Sequence, residues 1–274
     1  MTTHLLQLSD LHIREPGRLA YGRLDTAPYL RQAIDTILRL AQRPDAIILT
    51  GDLADFGRFE EYAHLRRLLA PLSMPIYLMP GNHDDRERMR QSFPEHAYLG
   101  SNGFVQYSVA VGGMQLIALD TVVPGASHGS LCDVRLKWLS EELEKQSDRP
   151  IIIAMHHPPF PTLIGHMDQI GLLQGGAELE KLVAKHPNVE RVICGHLHRS
   201  IHVRFGGSIA MTAPAPAHQI CLDLSPDASS AWTLEPPGFV LHALSDANLL
   251  SSHVVASGQF GGPYPFHSDG QLID

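Results

Sequence analysis

Asp, Asn and His residues gather in five short clusters along the first two hundred positions. They are Asp10-Leu11-His12, Gly51-Asp52, Gly81-Asn82-His83-Asp84, His156-His157 and Gly195-His196-Leu197-His198. Carboxylate oxygen and imidazole nitrogen suit borderline first-row divalent ions such as Mn, Fe, Co or Zn. Cysteine is absent from all five clusters, which argues against a structural zinc site. In an extended stretch, residues i and i+2 point to the same side. On that basis Asp10 with His12, and His196 with His198, are each expected to grip the site as a pair. Glycine at positions 51, 81 and 195 is expected to let the backbone turn sharply beside the metals.

Each cluster directly follows an apolar run: Leu5–Leu8, Ile47–Thr50, Ile76–Met79, Ile151–Met155 and Val192–Cys194. In an open α/β sheet, the loops at the carboxyl ends of the strands build the ligand site. Five strands ending in such residues can therefore deliver them to one point. The remaining pattern supplies the framework. Strands are predicted at His4–Leu8, Ala46–Thr50, Ile76–Met79, Ile151–Met155 and Arg191–Cys194. Amphipathic helices are predicted at Tyr29–Ala41, Phe59–Leu69, Val134–Lys145 and Ala177–His186. The segments Phe104–Ala110 and Met114–Leu119 read as a hairpin around Gly112-Gly113, and Ile201–Phe205 with Ser208–Thr212 as another. Gln219–Leu224, Phe239–Leu244 and His253–Ala256 read as further strands, and the Gly-, Pro- and aromatic-rich end as a tail. The order implies an α/β fold, a four-layer α/β/β/α sandwich of two mixed sheets. A metal-binding core over residues 1–200 and a small β-rich C-terminal appendage over 201–274 are expected.

The bulk properties narrow the classes. The chain has 274 residues, of which 44% are hydrophobic, enough for a large core. Its formal charge is -8 and no basic stripe is visible, so no long nucleic acid is expected as a partner. Three widely spaced cysteines make no disulfide framework, and a cytoplasmic setting is expected. The opening MTTHLLQLSD reads as too polar for a signal peptide, and no stretch reaches membrane-span length, so no membrane partner is expected.

In this order and spacing, the clusters resemble the calcineurin-like metallophosphoesterases, whose pattern is D-x-H, G-D, G-N-H-D/E, H and G-H-x-H. The likeness spans roughly residues 4–200. Segments SDLHI at 9–13, GDLADFG at 51–57, YLMPGNHDD at 77–85 and MHHPPFP at 155–161 resemble the branch of bacterial class III cyclic nucleotide phosphodiesterases and glycerophosphodiesterases. APAHQ at 215–219 is similar too, less specifically. The resemblance implies two divalent ions (Fe, Mn, Zn or Co), with Asp10, His12 and His198 on one, Asn82, His156 and His196 on the other, and Asp52 bridging both. His156 and His157 both offer themselves as the fourth-cluster ligand; the distance from Pro150 favours His156. Asp52, Asn82 and His83 are implied as catalytic, with Asn82, His83 and His218 meeting substrate. His83 would stand near the leaving group or a phosphoryl oxygen. The implied activity is hydrolysis of small phosphodiesters, 3′,5′-cyclic nucleotides or glycerophosphodiesters, by metal-activated hydroxide. The implied self-association is a homo-oligomer, at least a dimer, through the C-terminal region.

Plainer roles compete. Asp10, Asp52 and Asp84 taken singly are as well explained as helix caps or turn formers. Asp84 and Asp85 precede a helical pattern at Arg86–Gln91. His4, His64, His96, His128, His186, His202, His242, His253 and His267 match no motif and read as surface or packing residues. His166 is intermediate. For Tyr21 and Asp55 a packing role is the simpler expectation. Arg23 and Arg58 read equally as phosphate contacts or solvated charges, and Met155 and Trp138 as core. A phosphomonoesterase on the same fold, a nuclease and a non-catalytic scaffold are the competing functions. The last is disfavoured because no ligand position is lost.

Overall fold

The computed structural model describes residues 2–146 and 148–273; Met1 and Asp274, at the outer ends of the two expected regions, lie outside them. In chain order the first half runs β1 (Thr3–Leu8), α1 (Ala27–Leu38), β2 (Ala46–Thr50), α2 (Phe59–Leu69), β3 (Ile76–Met79), α3 (Arg86–Ser92), β4 (Tyr107–Val111) and β5 (Met114–Leu119). It continues with β6 (Gly129–Ser130), α4 (Asp133–Lys145), β7 (Ile151–Met155), α5 (Gly165–Asp168), β8 (Leu172–Gln174), α6 (Gly176–Lys185) and β9 (Val189–Cys194). The last part is all strand: β10 (Ile201–Phe205), β11 (Ser208–Thr212), β12 (Gln219–Ile220), β13 (Trp232–Thr233), β14 (Gly238–Leu244), β15 (Leu250–Ala256), β16 (His267–Ser268) and β17 (Gln271–Leu272).

Two mixed sheets carry the fold. One has the order β15-β14-β1-β2-β3, the other β10-β11-β9-β7-β5-β4. Strands β1, β2 and β3 run parallel, as do β5, β7, β9 and β11. Every residue of β2, β5 and β7 is buried, which is why these runs lack the alternation of a half-exposed strand. The buried apolar residues of both sheets and their helices form one continuous cluster. With α1 and α2 lying in the chain between strands of the first sheet, and α4 and α6 between strands β5, β7 and β9 of the second, the layers are α/β/β/α. Strands after residue 200 add to both sheets: β10 and β11 to the second, β14 and β15 to the first.

Some boundaries differ from expectation for local reasons. Helix α1 starts two residues early because Pro28 sits in its first turn, where a missing N–H costs nothing. Its expected end at Ala41 is cut to Leu38. The strand expected over Gln219–Leu224 shrinks to Gln219–Ile220, since Leu222 and Leu224 face solvent and find no pairing partner. The hairpin strand expected from Phe104 begins only at Tyr107, because the Val105 N–H is taken by the Asp120 carboxylate.

Candidate metal centre

Parallel pairing aligns the carboxyl ends of β1, β2 and β3 on one sheet and of β7 and β9 on the other. Past the strands the pairing persists: the N–H of Asp10 donates to the Gly51 carbonyl at 3.1 Å, and that of His12 to the Asp52 carbonyl at 2.9 Å. The third strand closes in through Gly81, where a Cβ would collide with Asp52. Gly51 combines a positive φ of 93° with similar crowding, in its case against the His156 ring. The expected basis for the i and i+2 pairs is corrected here. Asp10, His12, Asp52, His196 and His198 all have positive φ, between 43° and 70°, so strand alternation does not orient them. They sit in left-handed turns, uncommon for residues with a side chain and typical of sites where surrounding structure holds strain.

The side chains converge around the Asp52 carboxylate. Its Oδ2 lies 3.6 Å from His12 Nε2 and 3.4 Å from His156 Nε2. On the first side, His12 Nε2 is 3.3 Å from His198 Nε2, and His198 Nε2 is 3.5 Å from Asp10 Oδ1. On the other, His156 Nε2 is 3.1 Å from Asn82 Oδ1, and the His156 and His196 rings are 5.2 Å apart. Three rings are turned in one way. Nδ1 of His12 meets Asp55 Oδ1 at 3.2 Å, that of His156 the Thr50 carbonyl at 2.8 Å, and that of His198 the His218 carbonyl at 3.1 Å. An Nδ1–H held by an outer acceptor leaves the Nε2 lone pair pointing inward, the usual orientation of a metal-bound histidine.

His157 differs from His156. Its Nδ1 is taken by Thr121 Oγ1 at 2.8 Å and its Nε2 by the Ser127 carbonyl at 3.1 Å, so it has no nitrogen left over. The His83 ring packs edge-on against that of His12, 4.6 Å between centroids, but its bonds run to Asp52 and Asp55. Its backbone N–H donates to Asp52 Oδ1 at 2.9 Å and its Nδ1–H to the Asp55 carbonyl at 2.8 Å, while the side chain stays 35% exposed. His218 shares a hydrogen bond with the Tyr21 hydroxyl at 3.2 Å, and its ring lies 4.5 Å from that of His198.

The charge states follow from burial and neighbours. Burial opposes ionisation of Asp52, but the charges of His156, His83 and His12 outweigh it and hold the carboxyl well below its usual range. Burial, with the Asp52 charge, pushes Asp10 up to about 6. Burial would lower His156, yet Asp52 and Asp10 raise it to about 9. Burial and neighbouring imidazoles push His196 and His218 down to about 3, and His198 down as well. The neutral imidazoles of His196 and His198 and the ionised Asp52 are already in the state a divalent cation needs, while His156 and His12, held towards the protonated form by the carboxylates, would give up a proton to it. A further observation fits the same group: Asp10 Oδ2, His196 Nε2 and His218 Nδ1 are buried with no hydrogen-bond partner. Unpaired buried polar atoms are rare because they forfeit hydration, and a bound cation would compensate the two at Asp10 and His196. Triads including Asp10, Asp52 and His156, and His12, His198 and His218, have donor atoms within 4.8 Å of one another.

Among the other residues weighed from sequence, Asp85 caps α3 by accepting from the Arg88 N–H. Asp84 accepts from the N–H groups of Leu53, Ala54 and Gly81, tying two of the loops together. Arg58 pairs with Glu15 at 2.9 Å, Arg23 is exposed, and Met155 is fully buried. Asp55 and Tyr21, for which packing was the simpler expectation, both touch the centre. Asp55 links His12 to Arg14, whose guanidinium is 3.1 Å from its Oδ2. The sequence signal for Asp55 was its place three residues after Asp52, too common a spacing to act on. A cavity of about 370 Å³ opens over the centre, lined by His12, Asp52, Asn82, His83, His196 and His198, and further out by Tyr21, Ser127, His218 and Trp232.

Comparison with known proteins matches residues 3–200 to the family model described as calcineurin-like phosphoesterase. The chain is similar to a probable glycerophosphodiester phosphodiesterase GpdQ of Arcobacter nitrofigilis, 36% identical over 271 residues, 98% of this chain and 99% of the relative. It is also similar to the 3′,5′-cyclic adenosine monophosphate phosphodiesterase CpdA of Pseudomonas aeruginosa, 33% identical over 253 residues, 91% of this chain and 88% of the relative. In fold it resembles a dimetal phosphatase from Danio rerio, with a TM-score of 0.62 at 14% identity, covering 93% of this chain and 99% of that one.

Proposed function

The chain belongs to the calcineurin-like phosphoesterase family, and on that premise we propose that it is a binuclear metal-dependent phosphodiesterase acting on small phosphodiesters, 3′,5′-cyclic nucleotides or glycerophosphodiesters. One observation carries this reading. The Asp52 carboxylate lies between two sets of inward-facing donors, 3.6 Å from His12 and 3.4 Å from His156. In this reading Asp10, His12 and His198 would hold one ion and Asn82, His156 and His196 the other, with Asp52 shared between the two sets. The donor set accepts Fe, Mn, Zn or Co.

Bound divalent ions would draw charge from the phosphoryl oxygens and make water acidic enough to supply a nucleophile near neutral pH. The chain's own residues do the rest. Thr50, Asp55 and the His218 carbonyl fix the rings of His156, His12 and His198, so little reorganisation is needed on reaction. Asn82 and His83 line the cavity, which supports reading both as contacts to a phosphoryl oxygen. His83 spends its Nδ1–H on the Asp55 carbonyl, so in the imidazolium form it is the Nε2–H that passes to the leaving oxygen, leaving the neutral Nδ1–H ring behind. His218, kept neutral by burial, lines the cavity with its Nε2 on the Tyr21 hydroxyl, and we read it as meeting substrate through its ring and that hydroxyl.

A diester fits better than a monoester. The cavity lining contains no Lys or Arg to match the second charge of a phosphomonoester dianion. The test is turnover by manganese-reconstituted protein on cyclic AMP, glycerophosphoethanolamine, 5′-AMP and glycerol 3-phosphate, side by side. At least one diester is expected to be hydrolysed faster than either monoester. Asp52→Ala is expected to lose both ions and activity. Monoesters turned over faster than both diesters, or two ions and full turnover in Asp52→Ala, would overturn the reading.

A further inference from the structure

Beyond the metal donors, one wall of the cavity is built by a short ribbon. Strands β12 and β13 pair with Gln219 opposite Thr233 and Ile220 opposite Trp232. Residues directly opposite in an antiparallel pair project to the same face, and Ile220 and Trp232 both line the cavity. The ribbon is fastened on two sides. Gln219 donates to the Ala215 carbonyl and accepts from the Glu235 N–H, at 2.9 and 3.0 Å. Arg199, the residue after His198, donates to the Ile220 carbonyl at 2.7 Å and pairs with Glu235 at 2.9 Å. The Trp232 ring is thereby held at a set distance from the centre. It lies 5.8 Å from Tyr21 and 5.6 Å from His218, and His218 lies 5.5 Å from His12, so an aromatic wall runs from the metal donors outward. Met167 and Ile170 add a further apolar stretch to the lining.

The charge of this outer part decides what it can hold. The lining has no Lys or Arg, and its one carboxylate is Asp52, among the donors. A second phosphate finds no cation there, and an ammonium head group finds ring faces but no anion to pair with. What remains is an aromatic face, aliphatic walls and the Ser127 and Ser230 hydroxyls. That combination suits a flat, neutral heteroaromatic ring, since every nucleobase has a π face and polar edges.

We propose that Trp232 is a specificity-determining residue: it stacks the nucleobase of a cyclic nucleotide and makes base-bearing diesters preferred over glycerophosphodiesters. This rests on the diesterase reading for the phosphoryl end of the same site.

The chain has two tryptophans, Trp138 on α4 and Trp232, so Trp138→Phe leaves Trp232 as the only indole reporter. In the metal-reconstituted protein, 5′-AMP is expected to quench that emission saturably, and glycerol 3-phosphate is not. In kinetics, Trp232→Ala is expected to shift the ratio of kcat/KM between cyclic AMP and glycerophosphoethanolamine by about 10-fold or more, mainly through KM for cyclic AMP. Trp232→Phe is expected to restore most of the preference. An equal loss on cyclic AMP, glycerophosphoethanolamine and glycerophosphocholine, or no loss on cyclic AMP, overturns the proposal. If the unmutated protein hydrolyses no diester, the diesterase reading fails. The quenching experiment then still decides this one, and its absence overturns it.

Discussion

At the scale of single residues, the centre combines ordinary side chains with uncommon backbone. Five donors sit at positive φ, and the cross-strand hydrogen bonds of Asp10 and His12 hold two of them there. The types and order of these donors were legible in the sequence, because ligand chemistry limits the choice to a few residues. The support around them was not. Asp55 and His12 are 43 positions apart, and nothing local marks one as the other's acceptor. His157 shows the converse. The distance from Pro150 already favours its neighbour His156, and the bonds of His157 to Thr121 and Ser127 supply the physical reason, since neither of its nitrogens is left over. His83 belongs to this scale too. Because its Nδ1 is held by the Asp55 carbonyl and its partly exposed side chain lines the cavity, His83→Ala is expected to lower kcat by roughly 10²–10⁴ while metal analysis still finds both ions. Loss of an ion on that substitution would make His83 a ligand.

At the scale of elements, the buried parallel strands were readable from their apolar runs, and α2, β2, β3 and β7 have the bounds the pattern predicts. What no pattern shows is how the sheets are joined behind the centre. Gln7 of β1 donates to Thr50 Oγ1 on β2 and to the Cys194 carbonyl on β9, so one side chain bonds across both sheets. His242 of β14 meets Gln7 Oε1 at 3.2 Å and Ser252 at 2.8 Å, fully buried. Burial first, then the charges of Arg191 and His202, lower its pKa to about 3. The unfolded chain takes up a proton near pH ~6.5 that the folded chain refuses. The stability from this residue is therefore complete above about pH 6.5 and is lost progressively as pH falls towards 3. The slope is about 1.4 kcal/mol per pH unit, or roughly 2 kcal/mol between pH 6.5 and 5. Urea unfolding of the metal-free protein at those two pH values checks this. His242→Gln is expected to remove that part of the slope, and an unchanged slope would show that His242 does not carry it.

At the scale of the whole molecule, the two sheets meet so that loops from both reach one point, and the last strands brace the arrangement. The chain is pinned at Ser257 and Gly258 by Gln32, Thr36 and Arg39 of α1 and its cap. Beyond that anchor Phe260, Tyr264 and Phe266 are more than 70% exposed. Aromatic surface left open to this extent is costly in water and favours a covering partner. We expect a homo-oligomer, at least a dimer, formed through this C-terminal part. Light scattering at micromolar concentration is expected to give at least twice the mass of one chain, and a monomer refutes it. Among the described residues no helix is long and apolar enough to cross a membrane.

The sequence by itself determined the donor types, their order and the strands that end in them, because those depend on local pattern and on the chemistry of oxygen and nitrogen ligands. Tertiary structure alone decided what holds each donor ring in its orientation, what occupies both nitrogens of His157, and which aromatic rings line the cavity beside the donors. Each depends on contacts between segments dozens to nearly two hundred residues apart, such as Tyr21 with His218. Periodicity and composition record a residue's neighbours in the chain, whereas charge, orientation and access at the centre are set by its neighbours in space.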